Sequence, residues 1–333
     1  MNRARRRAWS WSLTLALLAG CAPEGAPSVL DPHGPGARRI EGLWWLMLWI
    51  SVAVFGVVLA FLVAAVVKSR RKEAVTAGHP RWGEPFVVIG GIVVPSLILV
   101  AVFVVSLRDM AALSSPEPEP SITIEVVGHD WWWEVVYEEA GAVTANEIHV
   151  PVGEPVRLEL TTDDVIHSFW VPQLQAKMDL IPGQTNVMWL EADEPGRYRG
   201  QCAEYCGLQH ANMIFYVVAE PAAEFQSWLS EQSRDAPEPQ DFGAAAGRQV
   251  FLDNTCVGCH AIRGTEATGT LGPDLTHLAA RDTIAAGVLD NTRSDLATWI
   301  VDPQGVKPGA TMPPTSLTAD ELENLLDYLE QLE

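Results

Sequence analysis

Two apolar runs near the front of the chain decide most of what it can fold into. Residues 43–67 are 25 consecutive residues without a charge, and residues 86–107 are 22. As helices they reach roughly 38 and 33 Å. Both exceed a hydrocarbon core of ~30 Å, so both read as tilted membrane-spanning helices. Trp44, Trp45 and Trp49 lie at one end of the first run, where interfacial aromatics gather. Pro95 falls inside the second run and is expected to kink it. The connecting loop carries Lys68, Arg70, Arg71, Lys72 and Arg81 against Glu73 and Glu84. By the positive-inside rule this loop is cytoplasmic, which puts everything after Arg108 outside. The bland alternative, two buried helices of a soluble core, fits these lengths poorly.

Charge divides the chain the same way. The net charge is −20 over 333 residues, but residues 1–110 carry +6 and residues 111–333 carry −26. A basic, apolar front with an acidic back suits a membrane anchor bearing an exported body. The acidity argues against nucleic acid as a partner, because phosphates are repelled. It could steer a basic donor, or simply serve solubility. Ahead of the hairpin, Arg3, Arg5, Arg6 and Arg7 precede a short apolar run, the pattern of a signal peptide over residues 1–20. Leu18-Ala19-Gly20-Cys21 resembles the bacterial lipobox, which implies lipidation of Cys21; an ordinary signal sequence containing a Cys is the other reading. Residues 21–41, rich in Pro, Gly and Ala, read as a tether, and the hairpin as 42–110.

After a Pro-Glu linker the period changes to two. Ile122, Ile124 and Val126 alternate with Thr123 and Glu125, and strands are also expected at 135–138, 156–161, 187–190 and 214–218. Short strands with frequent turns predict an all-β Greek-key sandwich over residues 119–232. Within it, Cys202, Cys206, His210 and Met213 fall in twelve residues. Thiolate and thioether are soft ligands that favour copper over calcium or magnesium. Two thiolates can bridge two copper ions, and each ion then needs its own imidazole. His210 is one, and His167 on a distant segment is the candidate for the other. A Cys202–Cys206 disulfide and a structural zinc site remain open, although zinc leaves Met213 idle. Trp131, Trp132 and Trp133 fit a strand with one or two rings in the core. His129 and His149 have no motif partner and read as satisfied strand residues.

A second linker, residues 233–240, leads to a helical region over residues 241–333. Cys256-Val257-Gly258-Cys259-His260 is the c-type haem attachment pattern. Two thiols add to the haem vinyls and the adjacent His reaches the iron. Met312 is the candidate for the opposite axial position, with His277 as rival; His/Met ligation raises the potential, as an electron carrier requires. Thr318-Ala319-Asp320-Glu321 is a capping box, and Leu322, Leu325, Leu326 and Leu329 mark the apolar face of the helix it opens.

The hairpin and the twelve-residue motif together resemble subunit II of cytochrome c oxidase, and the fused haem region resembles a class I cytochrome c, as in the caa-type enzymes. The resemblance implies a two-helix transmembrane hairpin, then a cupredoxin-like sandwich, then an all-α cytochrome domain. It implies a binuclear CuA centre on His167, Cys202, Cys206, His210, Met213 and the carbonyl of Glu204, with the Glu204 side chain helping bind magnesium against subunit I. It implies Trp131 as the electron-entry residue, haem c on Cys256, Cys259, His260 and Met312, and a place in the bacterial inner membrane beside subunits I and III, fed by an external cytochrome c. Two departures stand out. Asp130 replaces a frequent Gln before the first Trp, and the position seven before Pro95 is Val88, with Glu84 the nearest acid. Other functions considered are the CuA-bearing subunit of a nitric oxide reductase, a copper-delivery protein and a free lipoprotein electron shuttle.

Overall fold

The computed structural model describes residues 26–70, 83–114, 120 and 122–333. The signal segment, Cys21, most of the basic loop and most of the first linker lie outside the described residues. Helix α1 (Pro35–Arg70) and helix α2 (Gly83–Leu113) each hold an 18-residue stretch that is apolar on every face, with mean hydropathy of 3.0 and 2.9, and neither buries that stretch within the protein. Helices of that kind need lipid around them. The helix α1 begins at Pro35, inside the stretch expected as a tether; proline at the first helical position is pre-organised there. The disturbance expected at Pro95 takes the form of a π turn, Ile89–Val93. Pro95 lacks an N–H and crowds the carbonyl one turn back, at Gly91, and a widened turn relieves both.

Ten strands follow: β1 (Thr123–His129), β2 (Trp132–Tyr137), β3 (Ala142–Ala145), β4 (Glu147–Pro151), β5 (Val156–Thr162), β6 (His167–Trp170), β7 (Met178–Leu180), β8 (Asn186–Leu190), β9 (Gly196–Cys202) and β10 (Ile214–Glu220). They form two five-stranded sheets, ordered β3-β2-β1-β5-β8 and β4-β10-β9-β6-β7. The pairs β1–β5 and β4–β10 are parallel, and the others antiparallel. Parallel neighbours cannot be joined by a hairpin, so the chain crosses between sheets, as the expected sandwich requires. The inner faces bring Ile124, Val126, Trp133, Leu158, Leu160, Phe169, Phe215 and Val217 into one core. Trp133 meets Phe169 and Phe215 edge-on, at 6.0 and 5.0 Å. Helix α3 (Ala222–Gln232) closes the end of the sandwich.

The sandwich is joined to both membrane helices. His33 N–H donates to Gln173 O (2.7 Å), Ala37 N–H donates to Leu174 O (3.0 Å), and Asp193 N–H donates to His33 O (2.8 Å). Arg38 pairs with Asp193. At the far end of α2, Trp189 Nε1–H donates to Ser114 O (3.1 Å), and Arg39 meets Asp109 at 3.7 Å between the helices. The start of α1 and the end of α2 therefore lie on the same side as the sandwich, as the hairpin reading requires.

The last region is helical: α4 (Phe242–Asp253), α5 (Arg293–Val301), α6 (Pro303–Val306) and α7 (Ala319–Leu329). The capping box at Thr318 is formed in both directions, Thr318 N–H to Glu321 Oε2 at 2.8 Å and Glu321 N–H to Thr318 Oγ1 at 3.3 Å. Helix α4 crosses α7 at Gly247, where a Cβ would stand 1.9 Å from Asn324 O. At an open helix position Gly→Ala stabilises by about 1 kcal/mol. Here the collision is with backbone, so Gly247→Ala is expected to destabilise the haem domain by roughly 2 kcal/mol. Thermal unfolding of the full chain, followed by haem absorbance, checks the sign.

Candidate redox centres

Strand β6 begins at His167 and strand β9 ends at Cys202, with Phe169 paired across to Cys202. The loop beyond β9 folds back so that Cys202 N–H reaches Met213 O (3.0 Å) and Ala203 N–H reaches Ser168 O (2.9 Å). This closure gathers Cys202, Cys206, His210 and Met213 against His167. Cys202 and Cys206 are free thiols with sulfurs 3.7 Å apart. His167 Nδ1 lies 3.9 Å from the Cys202 sulfur and His210 Nδ1 3.7 Å from the Cys206 sulfur. Met213 Sδ is 3.9 Å from Cys206 Sγ, and Glu204 O is 3.1 Å from Cys202 Sγ. All six expected donors converge. Met213 is fully buried and turned to the sulfurs, which a four-ligand zinc site would not use. Sulfur at the centre with imidazole on each side suits copper.

The electrostatics favour one thiolate, on Cys202, sharing a hydrogen bond with a Cys206 that keeps its proton. Hydrogen bonding with Cys206 holds the Cys202 thiol low, against burial, with His167 helping; the same bond and burial push Cys206 up. Burial opposes charge on His167, but the Asp164 carboxylate and Cys202 outweigh it and push it up to about 9. Asp164 Oδ1 sits 2.8 Å from His167 Nε2, on the ring nitrogen away from the sulfurs. It orients the imidazole, as carboxylates behind metal-bound histidines do. Asp164 escaped the sequence reading; an acid three residues before a candidate ligand, at a turn into a strand, was the available signal. His129 and His149 are spectators, as expected: His129 meets Glu134 (3.4 Å), and His149 meets Glu220 (3.1 Å) and stacks on Trp228.

The second centre is a cavity lined by Cys256, Cys259, His260 and Met312 within the apolar walls Phe251, Leu275 and Leu296. His260 Nδ1 is 2.8 Å from Pro273 O, which makes Nδ1 the protonated nitrogen and leaves Nε2 for a metal. Burial lowers its pKa and keeps the ring neutral. A Cβ on Gly272 would stand 2.7 Å from His260 Cε1, so glycine clears the ring's approach. Arg281 Nε and Thr283 Oγ1 line this cavity as buried polar atoms with no partner. Buried polar atoms are normally satisfied, so they fit a group bearing anionic acceptors, such as haem. The rival ligand His277 does not line the cavity; its two nitrogens meet Glu333 O (2.7 Å) and Arg234 O (3.1 Å).

The two centres share a wall. Asp130, Trp131 and Trp132 of the sandwich also line the haem cavity, and Trp131 Nε1–H donates to Cys206 O (2.8 Å). Of the three tryptophans, Trp133 alone is in the core, and Trp132 stacks on His129.

Comparison with known proteins agrees with this geometry. Residues 141–220 match the family described as cytochrome C oxidase subunit II, periplasmic domain, and residues 244–333 match cytochrome c. A cytochrome c oxidase subunit 2 from Alkalihalophilus pseudofirmus is 39% identical over 330 residues, 96% of this chain and 94% of that protein. One from Bacillus subtilis is 31% identical over 97% of this chain and 98% of that protein. The crystal structure of the periplasmic domain of subunit II of cytochrome oxidase from Bradyrhizobium japonicum is 33% identical, with a TM-score of 0.33, over 34% of this chain and 93% of that one. With its anchor helices, its copper-type ligand cluster and its fused haem-attachment domain, the chain belongs to the cytochrome c oxidase subunit II family, in the arrangement of the caa type.

Proposed function

We propose that this chain is the electron-input subunit of a haem-copper terminal oxidase of the bacterial inner membrane, passing electrons from an external cytochrome c through its own haem c and a binuclear CuA centre to haem a in subunit I, where dioxygen is reduced with proton translocation. The observation that carries this reading is the shared wall: Trp131 lines the haem cavity and is hydrogen-bonded to Cys206. A haem and a copper centre bound there would supply reversible one-electron chemistry with little change of ligands.

The chain's own residues divide the work. Cys256, Cys259, His260 and Met312 would hold the haem in the cavity they line. Cys202, Cys206, His167, His210, Met213 and the Glu204 carbonyl would hold the copper. Trp131 is the entry residue to the copper side. The Glu204 carboxylate is half exposed, 3.7 Å from Lys177 Nζ. That leaves it available to magnesium at the face toward subunit I, with subunit III alongside. Apolar residues around Cys202, Phe169 and Phe215 exclude water, which limits reorganisation when charge changes. Electron paramagnetic resonance of the purified full chain tests the reading: a mixed-valence signal coupled to two copper nuclei is expected, with two coppers per haem. A mononuclear signal overturns the binuclear assignment.

A further inference from the structure

The haem domain is held on the sandwich by contacts clustered around the copper loop, and Lys307 is at their centre. Its side chain is 3% exposed. Its Nζ donates to Trp131 O in the sandwich (2.7 Å) and to Ala285 O in the haem domain (3.1 Å). Close by, Gln209 Nε2–H donates to Pro308 O (2.7 Å), and Ile214 N–H donates to Ala286 O (3.1 Å). Gln209 is adjacent to His210, and Ile214 to Met213. These bonds therefore grip the copper loop from the haem side.

A second feature points the same way. Ala285 and Ala286 both have positive φ, 54° and 58°. Left-handed backbone is unfavourable for a non-glycine residue, because Cβ crowds the following carbonyl. Two in succession persist only where the surroundings hold them. Here the turn aims the Ala285 carbonyl at Lys307 and the Ala286 carbonyl at Ile214. The strained turn and the buried lysine form one clamp.

We propose that Lys307 is a positioning residue: it pins the haem domain against Trp131 and keeps the wall shared by the haem cavity and the copper loop closed. Resting on the function proposed above, this assigns to Lys307 the control of transfer between the two centres. In that transfer one electron leaves ferrous haem iron, which becomes ferric, and enters the mixed-valence copper pair, which becomes fully cuprous. No bond breaks and no proton moves. Burial lowers the Lys307 pKa to about 7. Neutral or charged, the amine keeps the two N–H donors that the two carbonyls require.

The test uses the full chain in detergent, wild type against Lys307→Met, which keeps the apolar stem and removes the donors. Amide hydrogen exchange and photoinduced haem-to-copper transfer are both measured. The expected result is unchanged copper and haem spectra, at least tenfold faster exchange at Ile214, and at least tenfold slower transfer. Unchanged exchange at Ile214 with unchanged transfer overturns the inference. So does faster exchange confined to α4 and α7, which marks a purely internal role in the haem domain. If Lys307→Met fails to take up haem, Lys307→Leu, which likewise has no donor, carries the same comparison. Absence of a binuclear copper signal in the wild type would instead overturn the underlying functional reading, and the exchange measurement would still decide the pin.

Discussion

Cys206→Ser is expected to abolish the two-copper signal while leaving the haem spectrum intact. The Cys206 sulfur is the hub of the cluster, 3.7 Å from Cys202 Sγ, 3.7 Å from His210 Nδ1 and 3.9 Å from Met213 Sδ. A serine hydroxyl stays protonated at neutral pH and is a hard donor, so it cannot bridge two soft ions. The haem cavity has its own core around Phe251, Ile262, Leu325 and Tyr328, which does not contain Cys206. Copper content should fall from two per chain to one or none, with haem stoichiometry constant. Retention of both coppers removes Cys206 from the ligand set.

The second large effect is expected at a residue that touches no metal. Asp164→Asn keeps the shape beside His167 but removes the charge. Loss of such a carboxylate behind a histidine ligand typically costs about 10- to 100-fold in metal affinity. The pH dependence gives this a sign. Asp164 helps push His167 up to about 9, so below that pH copper must displace a proton from the ring. The Cys206 proton must be displaced in both proteins and cancels from the comparison, whereas the His167 proton makes wild-type binding tighten further as pH rises, up to about 9. In the variant the ring loses its proton at lower pH, and the tightening stops earlier. The affinity deficit is then largest at pH 9 and above and shrinks toward neutrality. Chelator competition across pH measures both curves. A deficit that grows as pH falls contradicts the role given to Asp164.

How much of this was readable in advance differs between elements for physical reasons. Uninterrupted apolarity over 43–67 and 86–107 has few other meanings, and α1 and α2 are there. The candidate ligand residues Cys202, Cys206, His210, Met213, Cys256, Cys259 and His260 are legible because their spacing is local. Strands β1, β2, β5, β8 and β10 alternate or carry β-branched runs, and each was expected within a few residues. Strands β3, β4, β6, β7 and β9 were not. Strand β6 is four residues long, too short for a period. Strand β9 has glycine or arginine at four of its seven positions, Gly196, Arg197, Arg199 and Gly200, and its Gly200 makes room for Phe215. Strand β4 alternates Glu147, Ile148, His149 and Val150, but it is five residues long and buried on both faces, so its period of two is too brief to stand out. The contact of Lys307 with Trp131 spans 176 positions. No local pattern encodes it, because both partners are ordinary until the domains meet.

The attachment of the sandwich to α1 through His33 and Ala37, and to α2 through Trp189, has a mechanical consequence. A body hinged at one point can swivel; a body fixed at two loses that freedom. The sulfur pair is thereby held at a set height and heading above the bilayer before any other subunit arrives. The orientation in which the candidate ligand cluster faces its surroundings in the membrane is thus set by the chain's own fold.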